Sequence, residues 1–360
     1  MAVTRKQVMQ ALTAVVDPEQ GRDIARLGMV QHLEVEGDTV SFAVLVKDPR
    51  TPFAQQVEAA CRQAVQAALG DHLTVNVTIE RAPGQGTQQV GSGVRHMIAV
   101  ASGKGGVGKS TVAVNLAVAL ARQGHAVGLV DTDIYGPSVP TMFGIEDGKP
   151  RVNEQRKILP LEKHGVKLLS MGFMVDASQA VIWRGPMVSS AVRQFLGDTE
   201  WGDLDYLILD LPPGTGDIQL TIVQTVALTG AIIVSTPQKV ALADARKGVS
   251  MFNNVNVPVL GIVENMAYFT PPDLPDRKYY LFGEGGAHRL ADEIGVPFLG
   301  EIPLEQTLRE TGDAGTPVMV AHPESASARA FDAAAANVVA QVARHTATQP
   351  PATPVEILYR

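Results

Sequence analysis

The sequence predicts a doubly wound α/β domain with a mostly parallel sheet, carried behind a small α+β domain. Three observations lead there. From His96 onward, apolar strands alternate with stretches of helical length. Several of those strands are nearly continuous apolar runs, such as Tyr206-Leu207-Ile208-Leu209 and Ala231-Ile232-Ile233-Val234, as strands covered on both faces require. A glycine-rich string, Gly103 to Ser110, lies between the first such strand and an apolar-faced helix.

In chain order, residues 1–80 read as the α+β unit. Val8, Leu12 and Val15 recur at helical spacing, and Asp17-Pro18 breaks that helix. Leu33 and Val35, then Val40, Phe42, Val44 and Val46, alternate as a hairpin turning at Gly37-Asp38. A helix from Pro52 to Leu69 should turn Phe53, Val57, Ala60 and Ala64 inward, and a strand Leu73–Ile79 closes the unit. Residues 81–95, rich in Gly, Gln, Ser and Thr, read as a flexible linker. The second domain, 96–344, has candidate strands Met97–Ala101, Ala126–Asp131, Val166–Met171, Tyr206–Asp210, Ala231–Thr236 and Val259–Glu264, separated by crossover helices. The tail, 345–360, is rich in Pro and Thr and is expected to be disordered.

Composition narrows the function. The formal net charge of -7 argues against a nucleic-acid partner. No apolar run approaches the roughly 18 residues of a membrane span, and residues 1–16 hold no secretory apolar core, so no membrane partner is expected and the cytoplasm is the expected place. The chain holds 1 cysteine, Cys61. An intrachain disulfide or a four-thiolate site is therefore excluded. Cys61 reads as a small buried residue. The 8 histidines show no H-E-x-x-H spacing, and no serine sits in G-x-S-x-G.

Gly103-Lys104-Gly105-Gly106-Val107-Gly108-Lys109-Ser110, followed by Thr111, fits the phosphate-loop pattern G-x-x-x-x-G-K-[ST]. Its glycines let backbone N–H groups turn inward around phosphate oxygens. The helix that follows aims its positive end at the anion. Lys109 brings a cation to the β- and γ-phosphates, and the Ser110 hydroxyl is a magnesium ligand. Val112, Leu116, Ala119 and Leu120 give the helix an apolar face, and Gly124 ends it. Two acidic groups join the loop. Asp131 and Asp133 follow the second strand, and either could orient water or hold Mg²⁺. Asp210 ends the strand Tyr206–Leu209 in the manner of a Walker-B acid. Pro212-Pro213-Gly214-Thr215-Gly216-Asp217 then suits a loop that senses the γ-phosphate.

Together with Asp131-Thr132-Asp133-Ile134-Tyr135-Gly136-Pro137-Ser138, Met171-Gly172-Phe173, Trp183-Arg184-Gly185-Pro186-Met187 and Val263-Glu264-Asn265-Met266, these residues resemble the Mrp/ApbC ATPases. That group belongs with MinD, ParA and the nitrogenase iron protein, whose Walker A is deviant. The resemblance spans about residues 90–340. Residues 1–80, through Asp17-Pro18-Glu19 and Leu27-Gly28-Met29-Val30, resemble the iron–sulfur-assembly domain often fused in front of such proteins. The resemblance implies ATP with Mg²⁺ as cofactors and a homodimer in which Lys104 reaches the partner's phosphates. It implies that Asp133 positions the hydrolytic water and that Asn265 and backbone near Pro303 meet adenine. It also implies a role in carrying iron–sulfur clusters to apoproteins, with those apoproteins or assembly factors as partners.

This chain departs from the family at the cluster. Where many members carry C-x-x-C after the Asn-Met, it has Pro271 and Leu274. The N-terminal domain's usual cysteine is Thr51. Two chains would offer two cysteines, so the sequence argues against direct cluster ligation. Segment 270–282, with Tyr279, Tyr280 and Phe282, reads either as a partner-binding loop or as core cover. Two other functions share the phosphate chemistry: a MinD/ParA-like positioning ATPase, and a nucleotide-gated scaffold without turnover.

Overall fold

The computed structural model describes residues 3–17, 22–27, 29–46, 52–81, 93–134, 136–173 and 185–348. The chain divides into two compact units, Met1–Gln88 and Gln89–Arg360.

In the first unit, Thr4 and Gln7 form a capping box that starts the helix Arg5–Ala11. Strands Val30–Glu36 and Thr39–Val46 pair antiparallel across Gly37-Asp38, where Gly37 takes φ 58°. The helix Pro52–Leu69 then crosses over and delivers strand Thr74–Arg81, which runs parallel to Thr39–Val46. Leu73 precedes that strand and is buried. Val8, Leu12, Phe42, Val57, Cys61 and Val65 make the core. The side chain of Phe53 lies outside the described residues.

The second unit is built on an eight-stranded sheet. Its spatial order is Leu161–Lys163, Val166–Ser170, Val127–Asp131, Leu204–Asp210, Val94–Ala101, Gly230–Ser235, Val259–Glu264 and Phe298–Glu301. All neighbours are parallel except the first pair. One face is covered by helices Lys109–Arg122 and Ala326–Thr348, the other by Gly185–Gly197, Asp217–Thr225, Lys239–Asn254 and Gly286–Ile294. The six expected strands are all present, within a residue or three at their ends. The two edge strands, Leu161–Lys163 and Phe298–Glu301, were not expected. They are short and partly exposed, so they lack the continuous apolar signal of the interior strands.

Two boundaries move. The first strand starts at Val94, paired with Leu204, inside the expected linker. Residues 82–92 of that linker lie outside the described residues. The last helix runs to Thr348, so residues 345–348 of the expected disordered tail are helical. Phe331, Ala335, Val338 and Val342 keep its apolar face packed, and Thr346 Oγ1 donates to the Val342 carbonyl at 2.9 Å. The remainder of the tail, 349–360, lies outside the described residues.

Candidate functional site

The site forms where the P-loop strand Val94–Ala101 leaves the sheet. Registers Asp210↔Val100 and Asp210↔Asp131 put two carboxylates side by side at the carboxyl end of the strands, level with the loop's root. Gly106 and Gly108 adopt φ 80° and 79°, a left-handed conformation that turns successive N–H groups inward. A side chain at Gly103 would run into the backbone of Asp244, and one at Gly108 into the Asn265 amide. Gly108 is the N-cap of the helix Lys109–Arg122, which is buried from Val112 to Leu120. Its small side chains let it lie close under the sheet and against the helix Ala326–Thr348.

The loop wraps a cleft of about 240 Å³. It is lined by Gly105, Gly106, Gly108, Lys109, Ser110 and Thr111 on one side, and by Asp133, Ser138, Met142 and Pro213 around the rest. Lys109 is 6% exposed and its Nζ lies 2.5 Å from Asp210 Oδ1 and 3.1 Å from Ser110 Oγ. Asp210 is fully buried, and its Oδ2 has no hydrogen-bond partner. Burial pushes its carboxyl above the usual range, against the pull of Lys109. An orphaned carboxylate oxygen beside a serine hydroxyl is the donor set magnesium takes at phosphate sites, where one or two protein oxygens and water suffice. Ser110 and Asp210 therefore fit Mg²⁺. Among the described residues no group of three or more His, Cys, Asp or Glu could hold a metal.

Their position at the strand end leaves Asp131 and Asp133 interchangeable, and only the family resemblance singles out Asp133; the structure gives the two different surroundings. Asp131 is fully buried and accepts from Asp133 N at 3.0 Å, Ser170 Oγ at 3.0 Å and Val139 N at 3.3 Å. Burial, and then the charge of Asp210, push its pKa up to about 7. It fastens the turn that carries Asp133, and Asp133 faces the cleft. Thr132 locks the same turn to the neighbouring strand, donating from N and Oγ1 to the Asp210 carbonyl at 3.0 and 2.8 Å.

The other expected residues fall around this centre. Val107 is buried beneath the loop. Lys104 is half-buried, and its carbonyl accepts from Ser102 Oγ at 2.9 Å. Asn265 stands behind the loop: its Nδ2 donates to the Val107 carbonyl at 2.8 Å, and it is 2% exposed. Met266 next to it takes φ 54°, a rare left-handed conformation for a non-glycine residue. Pro303 is buried between Ile302 and Leu304, whose N–H groups donate to Glu264 O and Tyr268 O. Neither Asn265 nor Pro303 lines the phosphate cleft among the described residues.

Sequence reasoning missed Ser102, Ser138, Met142, Ser170 and Gln219. Ser138 closes the quoted string Asp131 to Ser138, but nothing in the string gives it a place at the cleft; the others sit in no motif, and each is placed by the fold. It also missed that Glu264 caps the helix Gly286–Ile294, accepting from Ala287 N at 2.5 Å. A buried acid closing an apolar strand was the available signal.

Outside the site, Cys61 is fully buried in the first unit's core, and burial pushes its thiol up to about 12. In segment 270–282, Leu274, Tyr279, Tyr280 and Leu281 are exposed and do not cover the core, while Phe282 is half-buried. Lys278 Nζ sits 3.7 Å over the Tyr268 ring. No helix among the described residues is long and apolar enough to cross a membrane.

Comparisons with known proteins bear on both units. The family model described as NUBPL iron-transfer P-loop NTPase matches residues 93–339, and the model described as iron-sulfur cluster assembly protein matches residues 5–79. An iron-sulfur cluster carrier protein of Synechocystis is 50% identical over 348 residues, covering 94% of this chain and 98% of that protein. A nucleotide-binding protein of Archaeoglobus fulgidus, solved in complex with ADP, superposes with TM-score 0.57 at 43% identity over 64% of this chain and 89% of its own. The cell division ATPase MinD of Pyrococcus furiosus shares the fold, with TM-score 0.52 at 24% identity over 68% of this chain and 98% of its own.

Proposed function

This chain belongs to the NUBPL iron-transfer P-loop NTPase family, and from that premise we propose that it is a cytoplasmic ATPase serving iron–sulfur cluster carriage and transfer to apoproteins. The observation that supports the reading is the cleft shared by Gly105, Gly106, Gly108, Lys109, Ser110, Thr111 and Asp133, with Lys109 paired to Asp210. In this reading the loop N–H groups and Lys109 hold the β- and γ-phosphates of ATP. Asp133 accepts a hydrogen bond from water and aims its oxygen at the γ-phosphorus. A new P–O bond forms, the bond to the β–γ bridging oxygen breaks, and ADP leaves with that electron pair. Magnesium, when held by Ser110 and Asp210, supplies charge neutralisation of the phosphate oxygens. Asn265 keeps the loop in its cradle shape from behind, and its contact with adenine, like that of Pro303, stays a family expectation. Lys104, by the same resemblance, completes the site of a second copy in an ATP-bound homodimer.

The cluster is cargo, and this chain cannot grip it in the family's manner. A dimer offers two cysteines, both buried in the first unit's core, against the four thiolates a cluster generally takes. We read the protein as an ATP-driven switch acting on a cluster whose thiolates belong to a client or assembly partner. Two assays test this. Wild-type protein should release phosphate from Mg-ATP and, with ATP, speed activation of an apoprotein by an assembly partner. Lys109→Ala should do neither. Phosphate release equal in the two proteins would sink the ATPase reading. Four irons bound per dimer after anaerobic reconstitution, retained in Cys61→Ser, would sink the account of the cargo.

A further inference from the structure

Asp131 and Ser170 stand opposite each other at the carboxyl ends of neighbouring parallel strands, and both are fully buried. Ser170 Oγ accepts from Gly172 N at 3.0 Å, so its own proton is free to go to Asp131 Oδ2, also 3.0 Å away. Gly172 is pressed from its other side, where an added Cβ would fall 2.8 Å from the Pro137 ring. Among the described residues, the other donors to Asp131 are Asp133 N on Oδ1 and Val139 N on Oδ2. Those N–H groups belong to the same segment, 131–139, that brings Asp133 and Ser138 to the cleft. Bonds within the segment shape it but cannot fix it to the sheet. Thr132 ties its backbone to Asp210 on one side, and Ser170 ties the carboxylate to the neighbouring strand on the other.

The last torsion of an aspartate is soft, so its donors decide which way each oxygen faces. With Ser170 on Oδ2, Oδ1 is left facing Asp133 N. We propose that Ser170 is a positioning residue for hydrolysis: through Asp131 it holds Asp133 where that carboxylate can aim water at the γ-phosphorus. The string Met171-Gly172-Phe173 thereby gains a part in the site. The Gly172 N–H orients the Ser170 hydroxyl, and its bare α-carbon lets Pro137 pack against it. Ser170 does not line the phosphate cleft. Its contribution is to geometry at the moment of attack, where a misplacement of about 1 Å can cost on the order of a hundredfold in rate. Affinity for nucleotide is left to the loop and Lys109. The inference rests on the ATPase reading above.

Two measurements on the full-length protein separate rate from affinity. Single-turnover cleavage of Mg-ATP is read by acid quench, and binding of a non-hydrolysable ATP analogue by calorimetry, for wild type, Ser170→Ala, Ser170→Thr and Asp131→Asn. Ser170→Ala should bind the analogue within about twofold of wild type and cleave ATP roughly tenfold more slowly, the worth of one hydrogen bond at the barrier. Ser170→Thr restores the hydroxyl and should cleave within about threefold of wild type. Asp131→Asn keeps the volume but sets an NH₂ against one of the three donors, and should show the same split as Ser170→Ala; it carries the test should Ser170→Ala not fold. A serine that only satisfied a buried acid would lower Tm when removed and leave the folded protein's cleavage rate alone. Cleavage by Ser170→Ala within about twofold of wild type overturns the proposal, as does analogue binding weakened as much as cleavage is slowed. Ser170→Thr cleaving no faster than Ser170→Ala at equal Tm overturns it too. No cleavage in wild type overturns the ATPase reading and the positioning role with it.

Discussion

Replacing Lys109 by methionine keeps the stem of the side chain and removes its charge. The ammonium lies 2.5 Å from Asp210, and the two side chains are 6% and 0% exposed. Solvent screening is therefore slight. Without the cation, Asp210 has an uncompensated charge in a dry site. Breaking a buried pair from one side costs about 3–5 kcal/mol. The cost is relieved by proton uptake, because burial already raises the Asp210 pKa and loss of Lys109 raises it further. An acid raised above its unfolded value favours the folded state at low pH and loses that advantage as pH rises. The Lys109→Met deficit should therefore be smaller at about pH 5 than at about pH 8. The double variant Lys109→Met/Asp210→Asn should regain at least half of it while staying inactive. Urea unfolding followed by tryptophan fluorescence is the assay, since both tryptophans, Trp183 and Trp201, lie in the second unit. A Lys109→Met protein within about 0.5 kcal/mol of wild type at neutral pH, or a double variant no better than the single one, would refute the reasoning.

Three further outcomes are expected. Gly108→Ala forces a left-handed residue and a clash with the Asn265 amide, so nucleotide binding measured by calorimetry should be lost and stability should drop by about 1–3 kcal/mol. Asn265→Ala leaves the Val107 carbonyl unpaired; it should cost about 1–3 kcal/mol in urea unfolding and weaken ADP binding, and a variant binding ADP as wild type does would contradict the bracing role. Cys61, fully buried with a raised pKa, should resist a maleimide in the native protein and react on unfolding; fast native labelling would show the first unit's core is open.

The phosphate loop, Asp210 and six of eight sheet strands were legible because each leaves a local mark: glycines with a lysine at fixed spacing, or an apolar run ending in an acid; Asp133 was singled out by the family resemblance. The unread features join residues far apart. Val107 and Asn265 are 158 positions apart, and only the sheet order brings them together. Asp131 and Asp133 differ by two positions, but their roles depend on which one meets the Val139 and Ser170 donors, and no spacing rule encodes that. The orphaned Gln219 amide could not be foreseen, because an unpaired group is visible only against its surroundings.

The Asn265 bond makes the phosphate loop one end of a tether. Three residues onward, Tyr268 takes the Leu304 N–H and carries Lys278 against its ring; Phe269 then pairs with Tyr279, whose neighbours Tyr280 and Leu281 stand in solvent. The span between nucleotide and that exposed tip is short and bonded at each stage. The exposed tip and Val107 are thus joined by a few residues and a few hydrogen bonds, so neither end can be displaced far without breaking a bond between them.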